Sequence, residues 1–343
     1  MKVFWNPAQL AHAPAFFLAK GKVRPNFEVP VRAEALLAAC RAMGLTVQAP
    51  PPVDIAALLA VHDPGYLAFL RDGYAAWSAL PDAGPEIVAN HHPSPEMMAN
   101  GARVPAHIVG QAGWFAADAA CPIGPHTWEA AFHAAAGAAA AADEAARGDS
   151  AYALARPPGH HAFKARAGGH CYLNNAAVAA ERLLVRGAER VAVIDIDSHH
   201  GNGTQGIFWD RPDVLFVSVH GDPNGYYPWF TGHATERGGG DGAGCNLNFP
   251  LPMGTGDDGW VAAVEAGVSA IRAYGAEALV ISLGFDASVD EPLNALSVTP
   301  DGFSRAGAAI KALGLPAAIV QEGGYNVDVI GGLLTRFLDG LGG

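Results

Sequence analysis

The chain has 343 residues, half of them apolar and only 16% charged, with 33 Asp and Glu against 21 Lys and Arg for a net charge of −12 at pH 7. That much apolar material builds a sizeable core and excludes a small stapled scaffold. The negative balance repels phosphate backbones and anionic membrane surfaces and favours cationic molecules, although solubility alone would also account for it. No apolar run reaches the roughly 18 to 20 residues that span a bilayer. The start, "MKVFWNPAQL", lacks the charged and then apolar regions of a secretory signal, so a cytoplasmic protein is expected. Cys40, Cys121, Cys171 and Cys245 are widely spaced without a CxxC, which fits free thiols in a reducing compartment.

In chain order, a short strand is predicted at 2–5, then helices near 32–43, 54–61 and 64–79. The Pro- and His-bearing stretch 81–126 is too long for an ordinary connection, and such segments line a site or an interface. "TWEAAFHAAAGAAAAADEAARG" (127–148) reads as a buried helix of small residues ended by Gly148. From about 150 onward, short β-branched runs at 151–155, 190–196, 213–219, 277–283 and 317–322 alternate with helical patterns near 175–186, 257–274 and 302–313. A last helix is expected after Tyr325. This order predicts an α/β protein with a mostly parallel central sheet flanked by helices. With no repeat and no flexible linker, one domain over 1–343 is the simpler organisation.

Open parallel sheets bind ligands at the carboxyl ends of their strands. The five runs are followed by "RPPGHH", "DSHHGNG", "HGDPNGYYP", "GFDASVDEP" and "GGYN", each with His, Asp or Tyr beside glycine. A single histidine is more often a satisfied core or surface residue, but five loops converging on one edge point to a site. Residues two apart on an extended strand share a face, so Asp197 and His199 are expected to project together, with Asp195 on the same side and Asp286 arriving from a neighbouring strand. Two carboxylates and one neutral imidazole leave a position open for water and substrate, the pattern of a catalytic zinc site; strand-end capping is the plainer alternative. Such a site lowers the pKa of water to about 7, and His160 and His161 are suited to move its proton, with Asp195 and Asn202 as candidates to orient them. Tyr325 could donate to an oxyanion or could be a packed loop aromatic.

Taken together, "RPPGHH", "GGHCYLNNAAVAA", "DIDSHHGNGTQ", "SVHGDP", "GFDASVDEP" and "EGGYN" resemble the histone deacetylase superfamily of zinc amidohydrolases, and within it the bacterial acetylpolyamine amidohydrolases. "VPVRAEALLAA", "VHDPGYLAFL" and "TWEAA" extend the resemblance into the first half. It implies the arginase–deacetylase fold, zinc on Asp197, His199 and Asp286, His161 as general base and acid, His160 as an electrostatic partner oriented by Asp195, and Tyr325 polarising the amide carbonyl. It further implies a potassium site matched by Asp195, Asp197, His199 and Ser218 with backbone carbonyls, and a second near Phe208, Arg211 and Val214. Gly169 and Tyr227 match tunnel positions and Leu293 its rim, while His170 stands where the family carries an aromatic wall. The 81–126 stretch corresponds to an insertion that builds a dimer and narrows the groove; the acidic pair that polyamine-specific relatives carry near "TWEAA" is not plainly reproduced, that stretch offering only Asp118 and Glu129.

The resulting expectation is a zinc-dependent hydrolase of acetylated polyamines or similar acylated aminoalkyl amines. The rivals are a broader deacetylase of acetyl-lysine or small acetamides, a two-manganese ureohydrolase, for which Asp290 lies too far beyond Asp286, and a non-catalytic acetyl-amide binding module.

Overall fold

Alternation decides the architecture, because successive strand residues face opposite sides of the sheet. The computed structural model describes residues 1–293 and 295–342, and within them eight parallel strands form one sheet. In chain order the elements are β1 (Lys2–Phe4), the hairpin strands β2 (Phe16–Ala19) and β3 (Lys22–Pro25), α1 (Val31–Ala42), β4 (Thr46–Gln48), α2 (Ile55–Leu59), α3 (Pro64–Ser78), α4 (Pro95–Ala99), α5 (Ile108–Phe115), α6 (Thr127–Ala145) and β5 (Ala151–Ala153). There follow α7 (Asn175–Val185), β6 (Val191–Asp195), α8 (Asn202–Phe208), β7 (Val214–Gly221), β8 (Asn246–Leu251), α9 (Asp257–Tyr274), β9 (Ala278–Leu283), α10 (Pro300–Lys311), β10 (Ala317–Gln321) and α11 (Ile330–Leu341). The sheet order is β4-β1-β5-β10-β9-β6-β7-β8.

Val191, Val193, Phe216, Val280 and Val320 face one core with α3, α5, α6 and α7, while Ala192, Ile194, Val217, Ile281 and Ile319 face the other with α1, α9, α10 and α11. The molecule is therefore a single three-layer α/β domain. The Ala-rich α6 lies close to the sheet because its side chains are small: a Cβ at Gly137 would stand 3.5 Å from the Phe4 carbonyl oxygen. Helix starts follow local chemistry, as where the Asp63 carboxylate accepts the backbone N–H groups of Gly65 and Tyr66 with Pro64 in the first turn.

The predicted strands and helices from 127 onward fall within a few residues of the observed ones. The sequence reading missed β4, β8, α8 and the β2–β3 hairpin. The hairpin turns on Lys20 (φ 51°) and Gly21 (φ 70°), two left-handed residues that match the twist of its strands. The stretch 81–126 is not a structureless loop: it holds α4 and α5, pairs Ile87 with Ile123, and is stitched to the site by the bridge of Ala116 to Ala167. Among the described residues no helix is long and apolar enough to cross a membrane.

Candidate active site

Because β5, β10, β9, β6 and β7 are neighbours and parallel, the loops at their carboxyl ends share one edge. Strand β6 stops at Asp195, so Asp197 and His199 do not project from an extended strand as expected; a turn brings them together, in which the His199 N–H donates to Asp197 Oδ1 at 2.8 Å. Asp197, His199 and Asp286 each offer a ligand atom within 4.8 Å of the others. His199 Nδ1 lies 3.1 Å from Asp197 Oδ1 and 3.0 Å from Asp286 Oδ2. The opposite oxygens are held by backbone N–H groups, Asp197 Oδ2 by Gly323 and Asp286 Oδ1 by Ser198, both at 2.8 Å.

This crowding explains the glycines. A Cβ on Gly323 would come within 2.2 Å of Asp286 Oδ2, so that glycine is there for close approach, while Gly324 turns the chain through φ +113° to present Tyr325. Gly159, expected to permit a tight turn, likewise serves proximity: a Cβ there would meet the Asn175 nitrogen at 2.5 Å.

The two adjacent histidines take opposite characters. His160 Nδ1 is 2.9 Å from Asp195 Oδ2; burial opposes its charge, but Asp195 and Asp197 outweigh burial and raise its pKa well above 6.5. His161 is held well below 6.5 by burial and by the neighbouring His160 and His199. Its Nδ1 donates to Asn202 Oδ1 at 2.8 Å, which leaves the Nε2 lone pair as the basic site. His161, His199 and Tyr325 line one cavity of about 1020 Å³, together with Gly169, His170, Tyr227 and Leu293. Tyr226 stacks on His199 at 4.5 Å and its hydroxyl donates to the Leu293 carbonyl; Tyr227 meets His161 edge-on at 4.9 Å. His170 adopts φ 66° and packs edge-on against Phe17 (5.3 Å) and Tyr325 (5.9 Å), with its Nδ1 unpartnered.

The donor set suits a divalent cation. Asp195, Asp197, Asp286 and Glu322 are all fully buried, and concentrated buried anions demand positive charge. Burial would lower His199, yet Asp286 and Asp197 carry it up to about 9, because both carboxylates favour positive charge beside them. A second buried trio, His160, Cys171 and Glu322, is equally compact. Its donors are already engaged: His160 by Asp195, and Glu322 by the N–H groups of Gly159 and His160 and the Ser282 hydroxyl.

Ser218 pairs with Asp195 across β6 and β7 and lies 2.8 Å from His220 Nδ1. His220 Nε2 donates to the Gly232 carbonyl at 2.9 Å and burial lowers its pKa to about 4, so it is neutral, the serine hydroxyl donates to it, and the serine lone pairs stay free. Phe208, Arg211 and Val214 span the end of α8 and the start of β7; the Arg211 guanidinium turns away to Asp213 and Glu181, both at 2.7 Å.

Several supporting residues escaped the sequence reading. Glu322 clamps the His160 loop from the strand end just before "GGY". Arg32, buried on α1, lies 4.7 Å over the Tyr325 ring, pairs with Glu28 at 2.7 Å and donates to the Glu322 carbonyl. Glu291 accepts the Tyr325 N–H at 2.9 Å. Only the strand-end position of Glu322 was a signal; the others depend on burial of residues far apart in sequence.

The histone deacetylase domain model matches residues 26–341. The acetylpolyamine amidohydrolase of Burkholderia pseudomallei is 44% identical over 344 residues, covering 100% of this chain and 99% of that protein. Acetylpolyamine amidohydrolase 1 of Pseudomonas aeruginosa is 43% identical, covering 95% and 94%. A crystal structure of acetylpolyamine aminohydrolase from Burkholderia pseudomallei superposes with a TM-score of 0.95 at 45% identity, covering 100% of this chain and 98% of that one. With fold and sequence agreeing over nearly the full length, the chain belongs to the histone deacetylase family of hydrolytic enzymes.

Proposed function

We propose that this enzyme is a zinc-dependent amidohydrolase that removes an acetyl or similar short acyl group from the terminal nitrogen of an aminoalkyl chain, with acetylated polyamines as the substrate class that its relatives' names indicate. The observation that carries the reading is the compact trio Asp197, His199 and Asp286, whose His199 lines the same cavity as His161 with its unprotonated Nε2.

Zinc held by Asp197, His199 and Asp286 would supply a Lewis acid that polarises the amide and makes water nucleophilic at neutral pH. His161 Nε2 takes the proton of the attacking water and returns it to the leaving nitrogen, with Asn202 holding the ring. His160, kept charged by Asp195, steadies negative charge developing beside it. The Tyr325 hydroxyl donates to the oxyanion, its backbone fixed by Glu291 and its ring by Arg32. Gly169, His170, Tyr227 and Leu293 shape the tunnel. Ser218 with its free lone pairs, alongside Asp195, Asp197 and His199, would hold a potassium ion; Phe208, Arg211 and Val214 would hold another through backbone carbonyls. Asp290, the next carboxylate after Asp286, is exposed and outside the trio, which favours one catalytic metal over a two-manganese ureohydrolase.

We further propose a cytoplasmic homodimer. Met97, Met98, Val104 and Val109 are all exposed large apolar residues within 81–126, and a second copy docking on this segment would cover them.

The test is a hydrolysis panel of acetylputrescine, acetylcadaverine, acetylspermidine and an acetyl-lysine peptide with zinc-loaded enzyme. Turnover of the acetylated amines at least tenfold above the peptide is expected; a peptide preference would select the broader deacetylase instead.

A further inference from the structure

The cavity changes sign from floor to mouth. Its floor rests on buried carboxylates, yet the charged residues that line the cavity are Lys20, Lys164, Arg166 and Asp118. Asp118 is not free: its Oδ2 accepts from the Tyr227 hydroxyl at 2.6 Å and the Gly169 N–H at 3.1 Å, and its Oδ1 from the Ala120 N–H at 2.8 Å. Lys20 and Lys164 are exposed and Arg166 is half-buried.

Backbone structure fixes where these cations stand. Lys20 sits at the tip of the β2–β3 hairpin, in its left-handed turn. The Lys164 carbonyl accepts the Asp63 N–H at 2.8 Å, and the Phe163 N–H donates to the Arg166 carbonyl at 2.9 Å. Among the described residues, none of the three side chains has an ion pair or hydrogen bond, so their charge is available to whatever enters.

We propose that this cationic rim reads the far end of the substrate. It favours an acylated aminoalkyl chain that ends in a carboxylate, and within the polyamine class it ranks the singly charged acetylputrescine above polycationic acetylspermine. The proposal rests on the amide-hydrolysis reading above. The chain's net charge of −12 pulls the other way at long range. At physiological salt, however, charges beyond about 8 Å are largely screened, and the rim is what the bound end meets. Exposed charge pairs are worth about 1.4- to fivefold each, so three together shift a ratio by roughly three- to a hundredfold, with tenfold near the middle.

The experiment measures kcat/KM of the zinc-loaded enzyme for 5-acetamidopentanoate, acetylputrescine and acetylspermine, each normalised to neutral N-butylacetamide. It is run on the parent and on the triple variant Lys20→Glu, Lys164→Glu, Arg166→Glu. The parent should rank the carboxylate first and acetylspermine last, and the variant should lower the carboxylate-to-acetylspermine ratio by about tenfold or more. A ratio unchanged within twofold, or a parent that ranks acetylspermine first, overturns the proposal. Calorimetric binding of the same compounds reads the rim whether or not the amide is cut. Tighter carboxylate binding that is lost in the variant supports the rim, equal affinities defeat it, and compounds bound but never hydrolysed defeat the hydrolysis reading alone.

Discussion

The floor and the mouth of the cavity are built on different principles. At the floor, Asp195, Asp197, Asp286 and Glu322 are fully buried, and the hydrogen bonds from Gly323, Ser198, Gly159 and His160 fix where their oxygens point. At the mouth, Lys20, Lys164, Phe230 and Met253 stand in solvent on a hairpin tip and loops. Chemistry that needs sub-ångström placement occupies strand ends, where parallel neighbours hold the backbone; selection among substrates is left to side chains that can change without disturbing the sheet. Floor variants should therefore abolish turnover, whereas mouth variants should redistribute it.

The largest effect is expected at the trio. Asp286→Ala removes one of the three proposed ligands and leaves the Ser198 N–H unpaired, so bound metal measured by elemental analysis should fall and turnover should drop by about 10³-fold, the value of several kcal/mol of Lewis-acid stabilisation. Full metal content and near-parental rate in that variant would dissolve the distinction between floor and mouth. Tyr325→Phe should retain metal and lose about 10² to 10³ in kcat, as removal of an oxyanion donor does; a rate within a factor of two of the parent would show that the phenol stands aside.

A pH measurement reads the histidines that burial keeps neutral behind the floor. His62 Nδ1 faces the Phe163 and Lys164 carbonyls while its Nε2 accepts the Asn174 N–H at 2.9 Å, so it must be neutral, and burial lowers its pKa to about 4. The unfolded chain binds that proton near pH 6.5 and the folded chain resists it, so the stability is present above 6.5 and is lost as pH falls from there toward about 4. His220 behaves alike. Thermal unfolding midpoints should be several degrees lower at about pH 5 than at about pH 7.5, and His62→Gln should shrink the difference. Equal midpoints would mean these rings do not stay neutral. The smallest catalytic effect is expected farthest out: Met97→Glu with Met98→Glu should shift sedimentation from dimer to monomer while acetylputrescine turnover changes by less than about threefold. A dimer that persists would place the interface elsewhere.

Much of the floor was legible because its carboxylates and histidines follow strands of recognisable composition. "DIDSHH" and "GFD" end β-branched runs, and parallel order brings such ends to one edge whatever the details between them. The reason Asp197 and His199 meet was less legible, since the strand stops two residues before Asp197 and a side-chain-capped turn takes over. The clamp of Arg32, Glu28 and Glu322 could not be read at all: Arg32 lies 290 residues from its Glu322 partner, and an arginine on a helix looks exposed until the sheet has closed over it. The hairpin that carries Lys20 was hidden for the opposite reason, because its strands are short and partly exposed and lack the alternation that marks a buried strand.

What the sequence by itself determined is the alternation of strands and helices, and with it the edge where His160, His161, Asp197, His199, Asp286 and Tyr325 gather, because hydrophobic period and turn chemistry are local properties of the chain. Tertiary structure alone decided which carboxylates are engaged and which cations are left free at the mouth. Burial and pairing are properties of neighbours in space, and most of those neighbours are distant in sequence.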